Sequence, residues 1–144
     1  MAGALGAALW AAQQPIDKRV LRVGYDDVEL LGRAVRPEPG ANWQPVGWAM
    51  HVANGAVFGL AYSELRRRSP RISPMVSAPA MALAEHLALY PLSIIVDRHH
   101  PARPDLPRTF GGREFAAATW RHAILGVVLG ALGARSEDAG RVRG

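Results

Sequence analysis

The distribution of charge along the chain constrains its fold more than any single motif. Residues 39–63 contain no Asp, Glu, Lys or Arg, and residues 72–96 contain Glu85 alone. Residues 1–16 are also uncharged, and residues 115–134 are apolar apart from Thr119, Arg121 and His122. A helix needs roughly 20 mostly apolar residues to cross a bilayer. A soluble amphipathic helix shows charges every few residues on its outer face, whereas Gly, Ala and Trp fill these stretches.

These stretches predict an all-α chain. The reading is a four-helix transmembrane bundle, with helices at about 1–16, 44–63, 75–96 and 114–134 and a flexible basic tail over 135–144. The first stretch is short, and it lacks the basic start of a secretory signal, so it reads as a short anchor. Arg121 must either snorkel or face the bundle interior. A soluble four-helix bundle with a structural role is the alternative, since the same helix pattern builds such folds.

Of the 17 Lys and Arg residues, all but Lys18 are arginine, and Gly and Ala are abundant, which points to a GC-rich bacterial genome. The net charge of +5 would suit nucleic acid, but nucleic-acid binding needs basic residues clustered on one face. Here they fall between the apolar stretches, as in a polytopic membrane protein. The expected partners are the lipid bilayer and a second copy of the chain, with no nucleic acid. The absence of cysteine excludes disulfides, thiolate metal sites and a cysteine nucleophile. No phosphate-binding loop, GxSxG or nucleophile–base pair is present, so the reading leans away from an enzyme.

Arg66, Arg67 and Arg68 crowd the shortest loop, with Arg71 close by, and Arg135, Arg141 and Arg143 lie in the tail. Positive charge beside helix ends marks the cytoplasmic side. The expectation is therefore a multi-pass protein of a bacterial cytoplasmic membrane with both termini in the cytoplasm. In the first loop Asp26 is placed to cap a short helix from Asp27 towards Val35, lying on the membrane surface. The third loop, Pro101 to Arg113, has no helical pattern and reads as extended.

A repeat is visible inside the chain. His51-x3-Gly55-x3-Gly59 recurs as His122-x3-Gly126-x3-Gly130, with Trp48 and Trp120 shortly before each His. The preceding apolar stretches end alike, in Ile16-Asp17-Lys18-Arg19 and Val96-Asp97-Arg98-His99. Two repeated helical hairpins in the same orientation would produce this pattern. Gly55/Gly59 and Gly126/Gly130 form small-residue faces for close helix packing. If the two faces meet, His51 and His122 approach each other.

Glu85 and His86 lie near the centre of the third stretch, where a carboxylate must be paired, protonated or hydrated. His51, Glu85, His86 and His122 thus form a candidate polar cluster within the membrane, with His51, His122 or Arg121 as partners for Glu85. Pro91 can kink the helix beside it. The cluster suits proton-responsive or small-solute transport. Haem or a divalent metal held by His51 and His122, with Glu85, is the alternative cofactor reading. Asp97, His99 and His100 form a possible second site on the outer face, as a metal or pH-sensing group or simply a solvated helix end.

The pattern His51-x6-Phe58-x3-Tyr62, then His86-x4-Pro91-Leu92, then His122 resembles the YagU-type small bacterial inner-membrane proteins, over roughly Trp43 to Gly130. The chain departs from that family in its shorter N-terminal region and its Arg- and Pro-rich third loop. The resemblance implies an α-helical integral membrane protein and brings no settled biochemical activity with it.

Overall fold

A computed structural model describes the backbone of residues 1–141 and the side chains of residues 1–136. The described residues are helical with no strand. The elements are α1 (Ala2–Leu21), α2 (Asp27–Val35), α3 (Gln44–Arg68), α4 (Pro74–Leu89), a 3-10 turn (Tyr90–Leu92), α5 (Ser93–His99) and α6 (Gly112–Arg141).

Local chemistry sets the boundaries. α1 continues through Pro15 and stops at Arg22, whose left-handed φ of 54° lets its neighbour's chain turn away. Asp26 then caps α2, its Oδ1 accepting from the amides of Val28 (2.9 Å) and Glu29 (3.0 Å). Pro45 and Pro74 occupy the first turns of α3 and α4, where a missing N–H costs nothing. Pro91 cannot donate to the helix, and there the α-helix gives way to the 3-10 turn before resuming as α5. The segment 135–144, expected as a flexible tail, begins instead as helix. No proline interrupts residues 134–141, so α6 extends to Arg141, while Arg143 lies outside the described residues.

The long helices pack in the order α3, α1, α6, α4. α3 and α4 touch near one end, where Tyr62 and Ser77 share a 2.9 Å hydrogen bond. The two glycine faces do not meet each other. Gly55 and Gly59 lie against Gly3 of α1, and a Cβ on either would come within 2.6–2.9 Å of its backbone. Gly126 and Gly130 lie against α4, where a Cβ would meet Pro79 Cα at 2.5 Å and the Pro74 carbonyl at 2.8 Å. Each small-residue face therefore closes its own hairpin, α1 with α3 and α4 with α6. The element α2 has no counterpart in the second hairpin. It packs its Gly32 on α3 near Trp43 and Gly47.

Two helical segments, Pro74–His99 and Gly112–Ser136, are long and apolar enough to cross a membrane. α1 and α3, expected to span, do not meet that measure. α1 ends in the polar run Gln13, Gln14, Asp17, Lys18 and Arg19, and α3 in Glu64 and three arginines. Only 11% of the apolar stretch in Pro74–His99 is buried. A core helix of a soluble protein would be mostly covered, because burial is what repays its apolar surface. Here Val76, Leu87, Leu92 and Ile95 point outward, as do Val20 on α1 and Leu60 on α3.

Candidate functional site

Three layers of polar side chains converge where α1, α2, α3, α4 and α6 come together. The deepest is an ion network around Arg121, which has no exposed surface. Its Nε and Nη2 each donate to an Asp17 oxygen at 2.8 Å, and its Nη1 donates to Asp27 Oδ2 at 2.7 Å. The Tyr25 ring lies 4.5 Å from the guanidinium carbon. Burial, with the Asp27 carboxylate close by, pushes the Tyr25 hydroxyl well above the ordinary tyrosine range. Asp27 also accepts from Trp10 Nε1 (3.1 Å), and its amide donates to Gln14 Oε1 (2.8 Å). A guanidinium inside an otherwise apolar helix is thus neutralised by carboxylates carried on α1 and at the start of α2.

The second layer is aromatic. The Trp10 ring stands edge-on between two imidazoles, with centroids 5.4 Å from His51 and 4.6 Å from His122. His51 Nε2–H donates to the Ala7 carbonyl at 3.1 Å.

The third layer holds the carboxyl–imidazole pair. His122 Nε2 lies 3.2 Å from Glu85 Oε2. The His122 Nδ1–H donates to the Ala118 carbonyl at 2.7 Å. With Nδ1 committed, the Nε2–Glu85 contact needs one proton, carried by either the imidazole or the carboxyl. His86 packs beside it, ring centroids 4.8 Å apart. The Thr119 hydroxyl donates to the Phe115 carbonyl (2.8 Å) and so accepts from His86 Nε2–H (2.9 Å). Of the partners expected for Glu85, the structure selects His122, while His51 and Arg121 are engaged elsewhere.

These layers open into a cleft of about 240 Å³. His51, Asn54, Glu85, His122 and Asp27 line it together with Trp10, Phe58, Leu30, Leu31 and Leu125. The four residues of the expected cluster are therefore neighbours: three line the cleft or its wall, and His86 sits behind His122. The Gly55 backbone forms part of the floor.

The outer-face residues do other work. Asp97 accepts from Thr109 N (2.7 Å), Thr109 Oγ1 (2.8 Å), Phe110 N (3.1 Å) and the Arg103 guanidinium. His100 donates to the Leu30 carbonyl (2.9 Å) and accepts from the Ala102 amide (3.1 Å). The third loop, expected as extended, is thus a series of turns pinned by Asp97 and tied to α2, helped by Arg33 and Asp105 at 3.4 Å. His99 is exposed. Asp97 and His100 spend their polar atoms on loop backbone, so the three do not converge on one ligand.

The Trp10 indole stands edge-on between His51 and His122, and each imidazole gives one ring N–H to a backbone carbonyl, as a ligating histidine also does. Among the described residues no group of three His, Asp or Glu side chains is arranged to hold a metal ion.

Asp17, Asp27, Trp10 and Gln14 were not among the residues singled out by sequence as a site. The available signal was Arg121 itself, since an arginine in an apolar helix requires carboxylates. Compared with known proteins, the chain matches no family model, no curated protein and no solved structure.

Proposed function

We propose that this chain is a multi-pass integral protein of a bacterial cytoplasmic membrane, of the YagU-type group, acting as a proton-responsive or small-solute transport component. In this reading α1, α3, α4 with α5, and α6 all cross the bilayer, α2 lies at its outer surface, and both termini face the cytoplasm. The outward-facing apolar side chains of α4 and α5 then meet lipid, and the arginines of residues 66–71 meet headgroups.

The observation that carries the functional reading is the Glu85–His122 contact at 3.2 Å in the wall of the cleft. A carboxylate at that depth is costly unless neutralised, and the pair is built to hold one proton between its two members. Gain or loss of that proton changes the charge of the cleft by one unit, and the Trp10 ring lies against His122 with centroids 4.6 Å apart. A pair kept only for stability needs neither a cleft nor a neighbouring second imidazole.

The test is a pH titration of Trp10 fluorescence in lipid nanodiscs, with Trp43, Trp48 and Trp120 replaced by Phe. The reading expects a titration that moves to lower pH in Glu85→Gln, because the carboxylate no longer favours the protonated imidazole, while circular dichroism stays helical. A titration unchanged by Glu85→Gln would leave the pair as a structural tie and remove the proton-responsive role.

A further inference from the structure

The cleft has an acidic lining. Its wall includes the carboxylates of Glu85 and Asp27 and contains no arginine or lysine. The groups facing the Glu85–His122 pair can be followed element by element. From α3 comes His51, from α2 Asp27, from α4 His86, and from α6 Arg121. α1 contributes Ala7 and Trp10, with its Asp17 reached only through Arg121. Arg121 is consumed by Asp17 and Asp27. Of the two carboxylates lining the cleft, Glu85 is therefore the one that faces an imidazole instead of a guanidinium. When the pair loses its proton, the cleft gains one further negative charge that no fixed cation offsets.

The rest of the lining is apolar and aromatic. Trp10 and Phe58 offer ring surface to a cation, Leu30, Leu31 and Leu125 offer aliphatic surface, and Asn54 offers a hydrogen-bonding amide. A volume of about 240 Å³ lies below the roughly 300–1,000 Å³ of pockets that take drug-sized ligands. An inorganic cation would leave the apolar wall unused, and an anion would meet two carboxylates.

We propose that the cleft binds a small organic ammonium ion with an apolar body, in exchange for the proton of the Glu85–His122 pair. The ammonium group pairs with the Glu85 carboxylate, the shared proton leaves to water, and the apolar body lies against Phe58 and the leucines. One positive charge enters as one leaves, so the net charge of the cleft is unchanged. This rests on the proton-responsive reading above and adds the class of solute to it.

The experiment uses the full chain in nanodiscs with phenethylammonium as probe and 2-phenylethanol as its uncharged counterpart. Binding is read by calorimetry in buffers of different ionisation enthalpy, which also counts protons released. The expected result is release of close to one proton per cation, and affinity rising by up to about tenfold per pH unit while the pair is protonated. The alcohol should bind at least about tenfold more weakly. Glu85→Gln should abolish proton release and weaken the cation to the level of the alcohol. His122→Gln, which keeps the carboxylate, should bind the cation with a flattened pH dependence. Equal affinity for cation and alcohol, or cation binding without proton release, would overturn the exchange. Trp10 titrating with pH while the cation fails to bind would sink this inference alone. Loss of the titration itself would sink the reading beneath it.

Discussion

Arg121 and Asp17, 104 positions apart in the chain, meet through two parallel hydrogen bonds of 2.8 Å, with the guanidinium wholly enclosed. This pair joins the last long helix to the first, and with Asp27 it ties both to α2. A forked guanidinium–carboxylate contact of this kind fixes orientation as well as charge.

Removing one member strands the other's charge. Arg121→Met should destabilise the fold by about 3–5 kcal/mol, the range for breaking a buried ion pair. The double variant Arg121→Met with Asp17→Leu should recover part of that loss, because no uncompensated carboxylate remains at Asp17. Thermal unfolding in detergent measures both; equal destabilisation of single and double variants would show that the pair's charge is not what is lost.

The glycine faces predict a graded result. Gly126→Ala drives a methyl onto the Pro79 backbone and should cost about 1–3 kcal/mol by overpacking, with Gly55→Ala similar against Gly3. Gly112→Ala, where nothing lies within 4 Å, should be close to neutral. Unfolding midpoints of the three variants check this, and a neutral Gly126→Ala would contradict the close α4–α6 approach.

Asp97→Ala should release the third loop. Two backbone amides, a hydroxyl and Arg103 lose one common acceptor, so trypsin should cut after Arg108 faster than in the parent, while the helices keep their exchange protection. Unchanged cleavage would show that the loop is held by its other contacts.

Tyr25 predicts an alkaline limit. Its folded hydroxyl holds its proton above the ordinary tyrosine value because of burial and Asp27, so the stability it confers is present below about pH 10, the unfolded value, and declines as pH rises beyond it. Melting curves from roughly pH 8 to pH 11 should fall more steeply for the parent than for Tyr25→Phe. Parallel curves would contradict the burial.

The helices were legible because their signals are local. Asp26 two and three residues ahead of Val28 and Glu29 is a cap in any context, and Pro91 interrupts its helix wherever that helix packs. The His-Gly-Gly spacing likewise marked two close-packing faces. It could not say what each face meets, because four-residue steps define a stripe on a helix and carry nothing about its neighbour; the faces turned to Gly3 and Pro79 instead of to one another. The site was half legible for the same reason. Glu85 and the histidines stand out as polar groups in apolar stretches, whereas Asp17 and Asp27 sit among ordinary loop and helix-end charges and become special only when Arg121 arrives from the far end of the chain.

In the membrane-spanning reading proposed above, the outward apolar faces of α4, α5 and α6 meet lipid. Alkaline extraction of membranes from cells expressing the full chain tests it most directly. The protein is expected to stay in the membrane pellet with other integral proteins; its release into the soluble fraction would overturn the membrane-spanning reading.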